Sequence, residues 1–339
     1  MAVLDGFAWA VPPDTETYEQ HLPACFACPP YWAMYTQAML AHKEALQALH
    51  RQRTAVEAKI KAHTRVYLCT IATTDRVPGN FAAHTCIVDE AGCTSEMELG
   101  ILLHQRPTNM VLIGDHKQLP PFSRAARGDE PPRSFFKRAM DAGGSSRAHF
   151  LDTQYRMPAA LAALVSRVFY DGQLVTAVDR SAAGLRPVMF VPVDGAEETR
   201  PNATSKFNPE ECEAVARAVR GLVQYINARP HGPCQSIGVL TMYRQQRKDL
   251  EEELAHWGPR VRVLTVDGAQ GLEFDMVVLS TVCTRHSRFL DDAPRVNVAI
   301  SRARFALVVV GHRRTLVQTR FLRQVARNGA VVADAADVA

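Results

Sequence analysis

RVRVLTVDGAQGLEFDMVVLSTV, residues 260–282, sets two apolar runs, rich in Val, Leu and Thr, on either side of a glycine-flanked turn. A strand with one face in water alternates apolar with polar. A continuous apolar run marks a strand covered on both faces, the condition of a parallel sheet with helices above and below. Working outward, similar runs occur at RVYLCTIA (65–72), HTCIVDEA (84–91), NMVLIGD (109–115), PVMFVPV (187–193), SIGVLTM (236–242) and FALVVVGH (305–312). Helical patterns fall between some of them, near 157–170 and at about 209–226, where Asn208 is placed as the N-cap and Glu211 as its capping-box partner. The expected fold class is α/β, built from doubly wound parallel sheets.

With 339 residues and 47% hydrophobic content, the chain is long enough for about two domains. The segment 120–147, with PPFSRAARGDEPPRSFF followed by GGSS, is the best break between them. The expected organisation has four parts. Residues 1–64 form an irregular segment and a long helical stretch. Residues 65–147 form a first sheet lobe, and 148–325 a second. Residues 326–339 are a tail that reads as a frayed end. The stretch 31–62 lacks Gly and Pro and is rich in Ala, Leu, Lys, Glu and Gln, so one long helix or a helical hairpin is expected there.

Lys and Arg number 39 against 35 Asp and Glu, a net charge of +4 that permits a polyanionic partner without requiring one. The sequence holds no run of about 18 uncharged apolar residues and no secretory n- and h-regions. A cytoplasmic or nuclear protein with no membrane partner is therefore expected. Of the eight cysteines, Cys69, Cys86, Cys234 and Cys283 sit in or beside apolar runs, which suits buried thiols in a reducing compartment. Cys25 and Cys28 form one C-x-x-C near His21. A zinc site needs four ligands and no second pair stands at a suitable spacing, so loop or core thiols are the plainer reading.

Functional side chains of an open α/β sheet stand at the carboxyl ends of its strands. Asp89 and Glu90 follow one run, Gly114 and Asp115 another, and Asp267 a third. Transfer of a phosphoryl group to water needs one acidic group to hold magnesium and a second group to orient the water, roles that suit Asp89 and Glu90. Gln118, in GDHKQLPP (114–121), offers an uncharged donor and acceptor. Arg156 in LDTQYRM (151–157) and Arg302 in NVAISRAR (297–304) belong to the second lobe and are placed to act as arginine fingers. Gln270 and Glu273 lie in the glycine-flanked turn of the opening stretch. Each of these has an ordinary alternative, as a loop cap or a surface ion pair. The ordered series does not.

Taken together, VDEAG (88–92), GDHKQLPP, QYRM, VDGAQGLEFD (266–275) and NVAISRAR resemble, over about residues 65–315, the superfamily 1 helicases of the regulator-of-nonsense-transcripts and senataxin-like branch. The resemblance implies two RecA-like lobes, with ATP and Mg2+ as cofactors and single-stranded or structured RNA or DNA as partner. It implies magnesium coordination by Asp89, water activation by Glu90, phosphate sensing by Gln118, and γ-phosphate contacts from Arg156 and Arg302. Gly114, Asp115, Gln270, Gly271 and Glu273 would lie about the nucleotide. So would Tyr243 and Arg244 of IGVLTMYRQQ, while Thr70 and Thr73 of TIATT would contact the sugar-phosphate backbone. Protein partners in RNA processing or decay follow from the same resemblance.

The departures are specific. No G-x-x-x-x-G-K-[ST] occurs, and upstream of Asp89 the only glycines are Gly6 and Gly79, neither followed by Lys. The second motif reads DEAG rather than DEAA, with Cys93 following where Gln is common. The first lobe is accordingly expected to be incomplete, and the chain to be part of a longer ATP-dependent motor. The competing expectation is a helicase-like module that binds nucleic acid without hydrolysing ATP.

Overall fold

A computed structural model describes residues 29–76, 83–122, 134–143, 148–332 and 335–338. The chain divides into two compact units, Met1–Asn80 and Phe81–Ala339. His21, Cys25, Cys28, Gly6, Gly79 and most of the expected break at 120–147 lie outside the described residues.

In the first unit α1, Pro29–His63, is a single 35-residue helix rather than a hairpin. Proline is tolerated in its first turn because the missing N–H has no helical partner there. Leu40, Leu46, Leu49 and Ile60 stay exposed along it. The strand expected over 65–72 does not form. Residues 64–70 carry no regular structure and Ile71–Arg76 make a 3-10 helix, with Val66 74% and Leu68 96% exposed. An apolar run becomes a strand only when a neighbour completes its hydrogen bonds, and among the described residues none pairs with this one.

The second unit opens with β1 (Thr85–Val88), α2 (Glu96–Leu103) and β2 (Asn109–Leu112). The two strands pair in parallel, Val88 opposite Leu112. Helix α2 starts on a capping box: Ser95 Oγ accepts the Glu98 N–H at 3.2 Å and Glu98 Oε2 accepts the Ser95 N–H at 2.8 Å. Then come α3 (Phe135–Asp141), β3 (Thr153–Gln154), α4 (Ala159–Phe169), β4 (Val175–Thr176), β5 (Val188–Pro192), β6 (Glu198–Thr199) and β7 (Lys206–Phe207). The chain ends with α5 (Pro209–Asn227), β8 (Ile237–Thr241), α6 (Arg244–Leu254), β9 (Val261–Thr265), β10 (Phe274–Ser280), α7 (Ala293–Ile300), β11 (Ala303–Gly311), α8 (Arg313–Leu316), α9 (Arg323–Asn328) and β12 (Ala330–Val331).

Six of these strands form one parallel sheet in the order β12-β5-β11-β10-β8-β9. Its central strands are apolar on both faces. Leu240, Val277, Leu279, Leu307 and Val309 face the layer of α4, α7 and α9. Ile237, Val239, Met276, Val278, Val308 and Val310 face α5 and α6. Each such side chain contributes about 1.5–3 kcal/mol on burial, which is why the sequence needs no alternation here. The α/β class with doubly wound parallel sheets is observed, and the first lobe holds a two-stranded sheet among the described residues.

Three expectations are corrected. The end of the chain is not frayed: β12 pairs with β5, and Val332, Ala335 and Val338 are buried beside α5. Cys69 is exposed rather than buried; the six described cysteines are free, with Cys234 and Cys283 buried. Asn208 does cap α5, its Oδ1 accepting the Glu211 N–H at 3.0 Å, but Glu211 does not reach back. Its buried carboxylate instead accepts from Ser280 Oγ at 2.7 Å and the Val282 N–H at 2.8 Å. Val282 has φ 68, the left-handed region that a β-branched residue rarely enters, and Asn208 Nδ2 donates to its carbonyl at 3.3 Å. One helix start thus holds both polar groups of a strained peptide just past β10. Among the described residues, no helix is long and apolar enough to cross a membrane.

Candidate active site

The parallel ladder β1–β2 ends in two loops laid backbone against backbone. The Ala91 N–H donates to Ile113 O at 2.8 Å. A Cβ on Gly92 would lie 2.7 Å from Asp115 O, and one on Gly114 would lie 2.7 Å from Gly92 N. This contact fixes Asp89 and Glu90 beside Asp115. Glu90 has φ 52 and ψ 37, a left-handed conformation that costs an acidic residue energy and turns it out of the strand direction. Asp89 Oδ1 accepts the Glu90 N–H at 3.0 Å, and both residues are exposed. Asp115 organises the next turn: Oδ1 accepts the Lys117 N–H and Oδ2 accepts from Gln118 Nε2, each at 2.9 Å.

The second lobe meets this rim with two arginines. Gln154 braces the QYRM turn, its Oε1 accepting the Arg156 and Met157 N–H groups at 2.9 and 2.8 Å. Arg156 then pairs with Glu273 at 2.6 Å and donates to Ser301 O at 3.2 Å. Arg302 is buried and donates to Val298 O, Leu272 O and Ser301 Oγ, and across the lobes to Gln118 Oε1 at 3.1 Å. No carboxylate is among its hydrogen-bond partners. Burial and then the nearby Arg156 charge push its guanidinium down to about 10. Burial alone would raise Glu273, yet the hydrogen bond and charge of Arg156 prevail and hold it below the ordinary carboxylate value.

Two further residues tie the lobes: Tyr170, which lies in none of the quoted blocks, and Asn297, which opens NVAISRAR. Tyr170, which ends α4, donates a short hydrogen bond to Asp115 Oδ2 and accepts from Asn297 Nδ2 at 2.8 Å. Asn297 Nδ2 also donates to Lys117 O at 3.0 Å. Gln270 Nε2 donates to Cys93 Sγ, a further cross-lobe contact, beside Gly271 at φ 73.

Glu90, Asp115, Gln118, Arg156, Gln270, Glu273 and Arg302 therefore converge, with Asp89, Gly114 and Gly271 in the same loops. Tyr243 does not join them: it is buried, its hydroxyl held by Cys283 Sγ at 2.9 Å and Ser287 Oγ at 3.1 Å. Arg244 is exposed at the start of α6. Asp267 is engaged by Arg295, whose Nη2 stands 3.1 Å from its Oδ1. Thr70 and Thr73 belong to the first unit, where their hydroxyls lie 3.1 Å apart. Among the described residues no three His, Cys, Asp or Glu side chains form a metal cluster. Magnesium bound with a nucleotide needs only one or two carboxylates, the rest coming from water and phosphate. The donor set fits a terminal phosphate. Arg156 Nε is buried without a partner and Arg302 has no carboxylate among its hydrogen-bond partners, so the cleft holds donors that an anionic oxygen satisfies.

Comparison with known proteins places these residues in a wider setting. A model of the AAA domain matches residues 132–314, and a second AAA-domain model matches 35–124. Regulator of nonsense transcripts 1 of Caenorhabditis elegans is 30% identical over 305 residues, covering 82% of this chain and 28% of that protein. Its homolog from Arabidopsis thaliana is 32% identical over 290 residues, covering 78% and 22% respectively. The solved PRRSV helicase is 18% identical with a TM-score of 0.40, covering 76% of this chain and 43% of that one. The chain thus spans under a third of the length of these two curated relatives.

Proposed function

This chain belongs to the AAA-domain family, in its superfamily 1 helicase branch with the regulators of nonsense transcripts, and from that premise we propose that it serves an ATP-dependent RNA/DNA helicase on the γ-phosphate side of the nucleotide site. The family's general requirements are ATP and a divalent metal. The observation that carries the reading is Arg302, buried without a carboxylate partner and donating across the lobes to Gln118 at 3.1 Å. Such an arginine couples the approach of the lobes to charge at a transferring phosphoryl group.

In this reading Asp89 holds the metal and Glu90 orients the attacking water. Gln118 and Arg302 meet the terminal phosphate, and Arg156, steadied by Glu273 and Gln154, meets it from the same side. Magnesium supplies charge neutralisation on the phosphate oxygens. The partner is a single-stranded or structured nucleic acid, with RNA processing or decay factors beyond it, in the cytoplasm or nucleus. A second reading, a nucleic-acid-binding module without turnover, is favoured by one sequence feature: the 339 residues contain no G-x-x-x-x-G-K-[ST] phosphate loop.

Steady-state ATP hydrolysis with and without single-stranded RNA tests both. The expected result, in the longer motor of which this chain is read as a part, is RNA-stimulated turnover that Glu90→Gln abolishes while a fluorescent ATP analogue still binds. Arg302→Lys should lower kcat about 10³-fold or more. Turnover of the Glu90→Gln protein at the wild-type rate would overturn the assignment of Glu90, and RNA binding without any wild-type turnover selects the second reading.

A further inference from the structure

Residues 293–333 contain eight arginines and no aspartate or glutamate. Three are accounted for: Arg295 pairs with Asp267 and Asp292, Arg304 with Asp275, and Arg302 lies in the cleft. The other five, Arg313, Arg314, Arg320, Arg323 and Arg327, are exposed on and between α8 and α9, and none forms an ion pair with the described residues.

Arg320 and Arg323 meet Arg167, from the last turn of α4 and likewise unpaired, around a cavity of about 180 Å³ whose walls include Phe321 and Gln324. The walls are fixed from below. Phe321 stacks on Phe169 with ring centroids 5.3 Å apart, and Leu322, Val325 and Ala326 are buried in the core. Asp291, whose carboxylate touches this layer, is already engaged: its Oδ1 accepts the Arg320 backbone N–H at 2.8 Å and its Oδ2 pairs with His286 at 2.5 Å. Three exposed arginines thus line one space, with no carboxylate among its lining residues and no ion pair to any of the three among the described residues, a cluster of positive charge that an anion relieves. Guanidinium forks match phosphate oxygens in pairs.

We propose that this cavity takes a phosphate of the sugar-phosphate backbone of a nucleic-acid strand, at a contact separate from the cleft. The inference deepens the proposed function and rests on its nucleic-acid partner. Arg313, Arg314 and Arg327 extend the charge beyond the cavity, which suits a strand better than a lone phosphate. A bilayer is disfavoured because Leu316, Phe321, Leu322 and Val325 all turn inward, leaving no apolar face to insert.

The test is the affinity for a fluorescein-labelled single-stranded RNA across a sodium chloride series, for wild type and for Arg167→Gln/Arg320→Gln/Arg323→Gln. For single strands the log–log salt slope is about 0.7 per phosphate neutralised, so the triple variant should bind more weakly at low salt with a slope shallower by about 0.7 or more. Arg323→Gln alone, at an exposed position, should lie between the two and keeps the comparison valid if the triple variant unfolds. Equal affinity and slope in wild type and variants would overturn the inference while leaving the helicase reading intact. No RNA binding by the wild type would instead overturn the nucleic-acid reading beneath it. Loss of binding to phosphatidylserine vesicles in the variants, with RNA affinity unchanged, would reassign the site to membranes and overturn the proposal.

Discussion

Arg302 and Glu211 are both buried ionisable groups, and the surroundings of each set a different consequence. Arg302 is solvated by carbonyls and by one uncharged amide, Gln118. Replacing that amide with a carboxylate in Gln118→Glu gives the guanidinium a carboxylate as a direct hydrogen-bond partner. A hydrogen bond to a charged group is worth about 1.5–3 kcal/mol, but the change also removes the amide that donates to Asp115 Oδ2 at 2.9 Å and sets a carboxylate there, so the two effects oppose and the urea midpoint should stay close to that of wild type. ATP binding should weaken by an order of magnitude or more, because the arginine is already neutralised. Parallel loss of stability and binding would show that the contact serves packing alone. Glu211 gives a pH signature. Burial pushes its carboxyl up to about 7 from the ordinary 4.5, against the hydrogen bonds from Val282 and Ser280. The folded chain keeps this proton where the unfolded chain has lost it. The stabilisation is therefore full below about 4.5 and disappears as the pH rises through about 7, a change of roughly 3 kcal/mol. Glu211→Gln keeps the acceptor and removes the titration. Its thermal midpoint, relative to wild type, should rise between pH 5 and pH 8; a constant difference would refute the burial of a titrating carboxyl at this helix start.

At the scale of elements, the closest approach is between the loops after β1 and β2. It gives a physical account of DEAG in place of DEAA: a Cβ on Gly92 would meet the Asp115 carbonyl oxygen at 2.7 Å, and one on Gly114 would meet the Gly92 and Ala91 nitrogens at 2.7 and 2.9 Å. Gly114→Ala should cost about 1–3 kcal/mol, as overpacking against backbone does. Gly100, inside α2, has nothing within 4 Å of a built Cβ, so Gly100→Ala should stabilise by about 0.5–1 kcal/mol. Urea titrations of the two variants check both signs. Elements were legible where the local signal agreed with the surroundings. The runs at 275–282 and 305–312 announce strands because both faces are buried, and α5 announces itself by Asn208 and by Pro209 in its first turn. The run at 65–72 has the same composition and is no strand, because pairing is decided by a neighbour rather than by the run. β12 escaped notice because two residues, Ala330 and Val331, carry no period. Glu211 stands at the capping-box position, but its partners are Ser280 and Val282, about 70 residues away in sequence, and no local pattern encodes that choice.

At the scale of the whole second unit, the two sheets are joined by a short polar chain that runs through Tyr170. The order of the sequence blocks was enough to anticipate that Gln118, Arg156, Glu273 and Arg302 belong to one neighbourhood. It gave no sign of Tyr170, whose role depends on α4 ending beside Asp115, or of the inward turn of Tyr243. Burial and the adjacent Asp115 charge drive the Tyr170 hydroxyl well above its usual range, so it remains a donor at every working pH. Through it one carboxylate of the first lobe is linked to Asn297 of the second, and Asn297 also holds Lys117 O. Tyr170→Phe keeps the ring and its packing and removes only this link, leaving Asp115 Oδ2 with Gln118 as its remaining partner. The loss of a hydrogen bond to a charged group costs about 1.5–3 kcal/mol, which corresponds to a roughly 10- to 150-fold change in a local opening equilibrium. Amide hydrogen exchange should therefore quicken by that factor at 113–118 and 296–302 together, with the amides of β10 and β11 unaffected. Faster exchange confined to one of the two segments would mean that the lobes are not held through this residue, and that the other cross-lobe contacts, Arg302 to Gln118, Asn297 to Lys117 and Gln270 to Cys93, set their approach.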